Sequence, residues 1–289
     1  MKSRVGSSEQ LSRGEALGPF WAIAHADLKG LFRSRITYGW LVAAIFIQVV
    51  RTLGSRGTGT TSSVISSGLS DFVYIWSLMI IGLAASSVSS EAGELADSIM
   101  SKSVTRLDYV LAKFASRIAY TLISFSVVTA VLVGLALRLD VGDYDAVGLA
   151  SAVLLMALTL VMLTALGVGL SVAMPNTVIS IVTLLILWYS MTIFLPVVGL
   201  DVLSPGSMLG KLPDVIKGVW SLGEWETVAG FVAISGASTA LSSAYFFRTS
   251  EALATGVHSA SAWDNHPYVG LWLPRESVRK RTPPTGPRR

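Results

Sequence analysis

Apolar and polar positions along this chain fall into long blocks instead of alternating. Apolar runs occupy about residues 36–53, 72–88, 118–137, 147–174, 178–200 and 228–247, with polar connectors between them. A helix that crosses a hydrocarbon layer roughly 30 Å thick needs about 20 apolar residues, so the pattern predicts six transmembrane helices. Helices are preferred over a β-barrel because barrel strands alternate over about 10 residues, whereas these runs are continuous. The predicted fold is an all-α polytopic membrane protein.

The connectors carry periodicities of their own. Ahead of the first run, Phe20, Trp21, Ala24, Leu28, Leu31 and Phe32 share one helical face, with Lys29 and Arg33 opposite. This predicts an N-terminal amphipathic helix lying flat at the interface, with Trp21 at headgroup depth. Between the second and third runs, Glu91, Glu94, Asp97 and Ser98 form one stripe, and Ala92, Leu95, Ala96, Ile99 and Met100 form another. A short helix of that kind suits a groove on a second protein. The plainer alternative is a solvated loop whose charges only fix topology. Thr105 and Asp108 then have capping-box spacing, which predicts a helix running from near Arg106 through Tyr109, Lys113 and Arg117 into the third span.

On the other side, residues 54–70 are rich in Gly, Ser and Thr and are expected to be flexible. Residues 138–145 make a short acidic turn with Asp140, Asp143 and Asp145. In residues 201–226, Leu209, Leu212, Ile216 and Val219 have helical spacing. They predict one or two short helices, either lying in the outer leaflet or packed on the ends of the spans.

Composition supports the membrane reading: 52% of the 289 residues are hydrophobic and 14% charged, against roughly 25% charged in soluble domains. With both termini inside, the inner segments hold 17 of the 22 Lys and Arg residues. That asymmetry predicts cytoplasmic termini and a cytoplasmic 91–117 connector. The net charge of +4 is then a topology signal, and no nucleic-acid partner is expected. In the first 35 residues Asp27, Lys29 and Arg33 interrupt any apolar segment, so no signal peptide is expected there. The predicted organisation is an arm at 1–35, a six-span region at 36–248 and a basic, Pro-containing tail at 249–289.

Candidate chemistry is sparse. Cysteine is absent, and His25, His258 and His266 lie outside the spans without metal-ligand spacing, so neither a metal site nor a catalytic residue is expected. No phosphate-binding loop occurs; residues 57–63, GTGTTSS, lack the lysine it needs. Gln48 is the strongly polar side chain well inside a span, while Asp71, Arg117 and Arg138 fall at span ends, an arrangement that disfavours ion-coupled transport. Trp76, Trp188 and Gln48 could line a path for an amphipathic cargo. Small residues at Ala165, Gly167, Gly169, Ser171 and Ala173, and at Ala229, Ala233 and Ala237, provide close packing within the chain or a dimer seam.

Glu91 and Gly93, the short apolar helix, the SVTR of residues 103–106, Tyr109 and Lys113 together resemble the connector between the second and third spans of ABC-2 type transporter permeases. The six spans, the amphipathic helix before them and the connector after the fifth extend the resemblance over roughly residues 18–250. It implies that Glu91, Gly93, Glu94, Leu95, Asp97, Ile99 and Met100, with Arg106 in the following turn, form a coupling helix for a separate cytoplasmic ATPase. It further implies two copies of that ATPase binding ATP and Mg, a second permease subunit, identical or similar, and a location in a prokaryotic cytoplasmic membrane. The expected function is export of a hydrophobic or amphipathic substrate by a transporter subunit that is not itself an enzyme. The alternative is a non-transporting membrane scaffold that recruits a cytoplasmic partner through the same connector.

Overall fold

The structure, a computed structural model, describes residues 6–55, 59–90, 106–139, 142–174, 176–219 and 221–256. Among these, every regular element is helical. The chain divides into two compact units, residues 1–247 and 248–289, and the first contains the apolar stretches of all the spans. Helix α1 (Gly6–Arg33) precedes α2 (Arg35–Gly54), the first span. The second span joins α3 (Thr61–Asp71), a π-helical turn (Phe72–Trp76) and α4 (Ser77–Ala85) end to end. Then come α5 (Arg106–Leu139), α6 (Ala146–Ala173) and α7 (Thr177–Val197). A 3-10 turn (Asp201–Leu203) and α8 (Pro205–Ile216) lead to α9 (Leu222–Gly256), which is apolar from Leu222 to Tyr245. Among the described residues, six helical segments are long and apolar enough to cross a membrane.

The expectation of a flexible segment at residues 54–70 is corrected, because Thr61–Asp71 is helix and supplies the first half of the second span. Three of its hydroxyls satisfy themselves locally: Ser66 donates to the Ser63 carbonyl at 3.0 Å, Ser67 to Val64 at 2.9 Å and Ser70 to Ser66 at 2.8 Å. A serine that returns its hydrogen to its own helix crosses apolar surroundings at little cost and is small enough for close packing. Thr60 starts the helix with a capping box closed by Ser63. The earlier start also places Asp71 inside the second span, ion-paired with Arg51 of the first, and not at the span's edge.

Burial divides the spans into two sets. Over the apolar stretch, 61% of the second span is buried, 44% of the fourth and 39% of the third, against 22% of the first and 17% of the fifth and of the sixth. The core runs through Ile65, Leu69, Phe72 and Ile81 of the second span, Phe125 and Leu132 of the third, and Leu155, Leu160 and Leu163 of the fourth. Phe72 and Phe125 meet edge to face at 5.4 Å. At Gly167 of α6 an added Cβ would lie 2.5 Å from the Ala84 Cβ and 3.0 Å from Leu184, so glycine sets the spacing between the fourth span and the second.

The short helix expected within residues 201–226 is α8. Met208, Leu209, Leu212, Val215 and Ile216 are buried against the ends of the second and fourth spans, while Val219 is exposed. Pro205 occupies the first turn, where its missing N–H leaves nothing unsatisfied. The helix comes so close to α6 that a Cβ on Gly148 would collide with the Val215 carbonyl.

Candidate functional site

The predicted coupling residues Glu91, Gly93, Glu94, Leu95, Asp97, Ile99 and Met100 lie outside the described residues, and Arg106 is the first residue of α5. The structure does describe both flanks of that 91–105 connector, and each flank is held by a polar cluster.

On the upstream flank, the second span ends at Ala85 and the chain continues through Ser86–Ser90. There the Ser171 hydroxyl oxygen of α6 accepts the backbone N–H groups of Val88 and Ser89, each at 2.9 Å. The Ser89 and Thr177 hydroxyls lie 2.9 Å apart. One turn of chain is thereby tied to the fourth span and to the first residue of the fifth. Ser171 belongs to the small-residue packing stripe of the fourth span, and its hydroxyl adds acceptor capacity at the point where the second span ends.

On the downstream flank, Lys113, Ser116 and Arg117 recur at the spacing that shares one face of α5, and they converge on Asp27 of α1. The Lys113 Nζ lies 2.8 Å from Asp27 Oδ1, Ser116 Oγ donates to Oδ2 at 2.5 Å, and Arg117 Nη2 stands 3.5 Å from Oδ1. Lys113 also sits 5.5 Å from the centre of the Tyr109 ring. The cluster is buried, with Lys113 4% and Arg117 8% exposed. Burial alone would raise the Asp27 carboxyl, but the Arg117 charge and the hydrogen bonds from Lys113 and Ser116 outweigh it and hold Asp27 below the ordinary carboxylate range. Nε and Nη1 of Arg117 are buried with no hydrogen-bond partner among the described residues.

Two sequence expectations change here. Arg117, expected at a span end within reach of water, is buried and paired. The amphipathic helix presses Ala24 and Leu31 against α5 as well as exposing Trp21, so its apolar face is shared between protein and surroundings. Asp27 is a site residue that sequence reasoning missed. Its one signal is its position between Ala24 and Leu31, an acidic residue on the apolar stripe of an amphipathic helix.

The far ends of the spans are fastened by a second carboxylate. Asp143 accepts from the Ser62 backbone N–H at 2.8 Å and from its hydroxyl at 2.6 Å, and Lys217 lies 3.5 Å away. Burial raises the Asp143 carboxyl, but the Ser62 and Thr60 hydrogen bonds and the Lys217 charge bring it down to about 2. Asp145 caps α6 by accepting from the Gly148 N–H at 2.8 Å. The acidic turn thus joins the start of the second span, the start of the fourth and the connector after α8.

The three residues expected on a cargo path are buried inside the chain. Gln48 is fully buried and donates through Nε2 to the Gly68 carbonyl at 3.0 Å. A Cβ on Gly68 would come within 2.6 Å of Leu132 and 2.9 Å of Gln48 Oε1, so the first three spans converge at this point. Trp76 stands edge-on to Trp40 at 5.0 Å, and Trp188 is 1% exposed within the main core. Compared with known proteins, the chain matches no protein-family model and no curated protein.

Proposed function

We propose that the protein is the membrane-spanning subunit of an ATP-driven exporter of the ABC-2 type, working with a second permease subunit and two copies of a cytoplasmic ATPase. The observation that carries this reading is the pair of polar clusters flanking residues 91–105. A connector that receives a push from outside the bilayer needs rigid attachment on both sides, or the movement is lost in its own ends. Upstream, Ser171 and Thr177 tie it to the fourth and fifth spans; downstream, Asp27 ties it to the interfacial helix through Lys113, Ser116 and Arg117. In this reading closure of the ATPases on ATP moves the Glu91–Met100 helix, and the tightly packed second, third and fourth spans turn as one body. ATP and Mg are bound by the partner, and this chain supplies the docking surface and the path. The cargo is hydrophobic or amphipathic, and both termini face the cytoplasm.

A second reading, ion-coupled transport, draws on Asp71, which lies inside a span. Its pairing with Arg51 neutralises the charge that such a cycle would use.

Co-purification with a cytoplasmic ATPase from the same cells, followed by an ATPase assay, tests the proposal. The double variant Glu94→Lys and Leu95→Asp is expected to abolish complex formation while leaving the permease folded. An undiminished complex with undiminished ATP turnover would refute the docking. Transport that persists without nucleotide and disappears in Asp71→Asn would favour the second reading.

A further inference from the structure

A cavity of about 370 Å³ lies between the fourth, fifth and sixth spans, within the size range of small-molecule sites, roughly 300–1,000 Å³. None of Gln48, Trp76 or Trp188 lines it. One wall is aliphatic, with Leu166 and Leu170 of α6 and Leu187 of α7; the other is the hydroxyl face of α9, with Ser238, Ser242 and Ser243. Gly169 keeps the two walls close, since a Cβ there would stand 2.5 Å from Thr239 Cγ2 and 2.8 Å from Ser243 Oγ.

The hydroxyl wall has a definite polarity. Ser238 donates its hydrogen to the Ser235 carbonyl at 3.1 Å and Ser243 to the Thr239 carbonyl at 2.7 Å. Thr239 beside them donates to Ser235 at 2.7 Å. A hydroxyl whose hydrogen is used within its own helix offers lone pairs alone to whatever lies in front of it. Ser238, Thr239 and Ser243 therefore present acceptors, and no charged side chain is among the lining residues. Depth supplies the second constraint. Leu166 to Ala173 spans about 10 Å of helix, most of one leaflet's hydrocarbon at about 15 Å, and the serines lie near the end of the sixth span at Tyr245.

We infer that this cavity is a binding site for an amphiphile with a primary ammonium headgroup, its N–H groups on Ser238 and Ser243 and its chain along Leu166, Leu170 and Leu187. A choline headgroup of equal charge has no N–H to give and is rejected by the same wall. The inference goes beyond export and does not need it, because a lipid bound here is retained whether or not it is transported.

Purified full-length protein in vesicles of equal phosphatidylethanolamine and phosphatidylcholine with identical chains, analysed by native mass spectrometry, provides the test. Retained ethanolamine lipid should exceed choline lipid about tenfold, the effect of two to three modest hydrogen bonds. The triple variant S238A/S242A/S243A should bring the ratio to about one, and Leu187→Trp, which fills the cavity from its rim, should lower retention of the ethanolamine lipid. Dodecylammonium should compete for the site and dodecyltrimethylammonium should not; equal competition by the two would overturn the assignment. Equal retention of the two lipids by the unaltered protein, or a preference that survives the triple variant or the Leu187→Trp filling, would mean annular lipid only and overturn the assignment. An unaltered protein that binds no ATPase yet keeps its ethanolamine preference would count against the export reading alone.

Discussion

The fourth and fifth spans are almost equally apolar, with mean hydropathy 2.5 and 2.3, yet 44% of one is buried and 17% of the other. What separates them is side-chain size. The fourth, Ala146–Ala173, mixes Gly, Ala, Ser and Thr among its leucines, while the fifth, Thr177–Val197, contains neither Gly nor Ala. Small residues let backbones come together, as Gly167 does against Ala84. Ile179, Ile186, Ile193 and Phe194 of the fifth are exposed. Within a bilayer, hydropathy reports that a segment crosses; the distribution of volume along it reports whether it faces protein.

The contrast can be broken most strongly at its closest contact. Gly167→Leu should cost about 3 kcal/mol or abolish folding, since neither the Ala84 Cβ nor the Ala85 backbone can yield. Ile186→Ala on the fifth span should change thermal stability in detergent by no more than about 0.5 kcal/mol. Equal losses in the two variants would erase the distinction.

Asp27→Asn should come next, at about 2 kcal/mol, because it removes the charge that faces the buried Arg117 and Lys113. Limited proteolysis should then release α1 while the second to fourth spans stay protected. Gln48→Leu should cost about 1 kcal/mol by removing the hydrogen bond to Gly68. A disulfide between cysteines placed in the first and second spans should restore the melting temperature.

The smallest effect is pH-dependent. The Asp143 carboxyl is depressed to about 2 in the folded chain, against about 3.9 when unfolded. Its contribution is therefore complete above the unfolded value and is lost as pH falls from there through 2. The melting difference between the native protein and Asp143→Asn should be constant from pH 7 to about 5 and should shrink below about 4. A difference that grew on acidification would contradict the Ser62 clamp.

Much of the fold was legible because lipid demands long apolar runs. The third span's early start near Arg106 and the short helix after the fifth span could both be read from periodicity. The second span was misplaced at its start because Ser, Thr and Gly signal loops in water, whereas in Thr61–Asp71 they close hydrogen bonds within the helix. The Asp27 cluster was hidden for a different reason: its members are 86 to 90 residues apart, and a lone acidic residue on a helix gives no sign of which cation it will meet. The pattern on residues 91–100 suggested a docking helix, and the clusters flanking it had no sequence signature of their own.

The π-helical turn Phe72–Trp76 interrupts an otherwise regular second span. An i to i+5 loop contains one residue more than the α-helical ladder needs, and each residue turns the helix by about 100°. Excising one residue within that turn would let it relax to α-helix with both halves of the span keeping their neighbours. The same deletion at Ile65 or Ile81 would swing one half around its axis and point its buried side into lipid. Length variation in this span is thus permitted at a single place, and insertions or deletions selected anywhere along it should accumulate there.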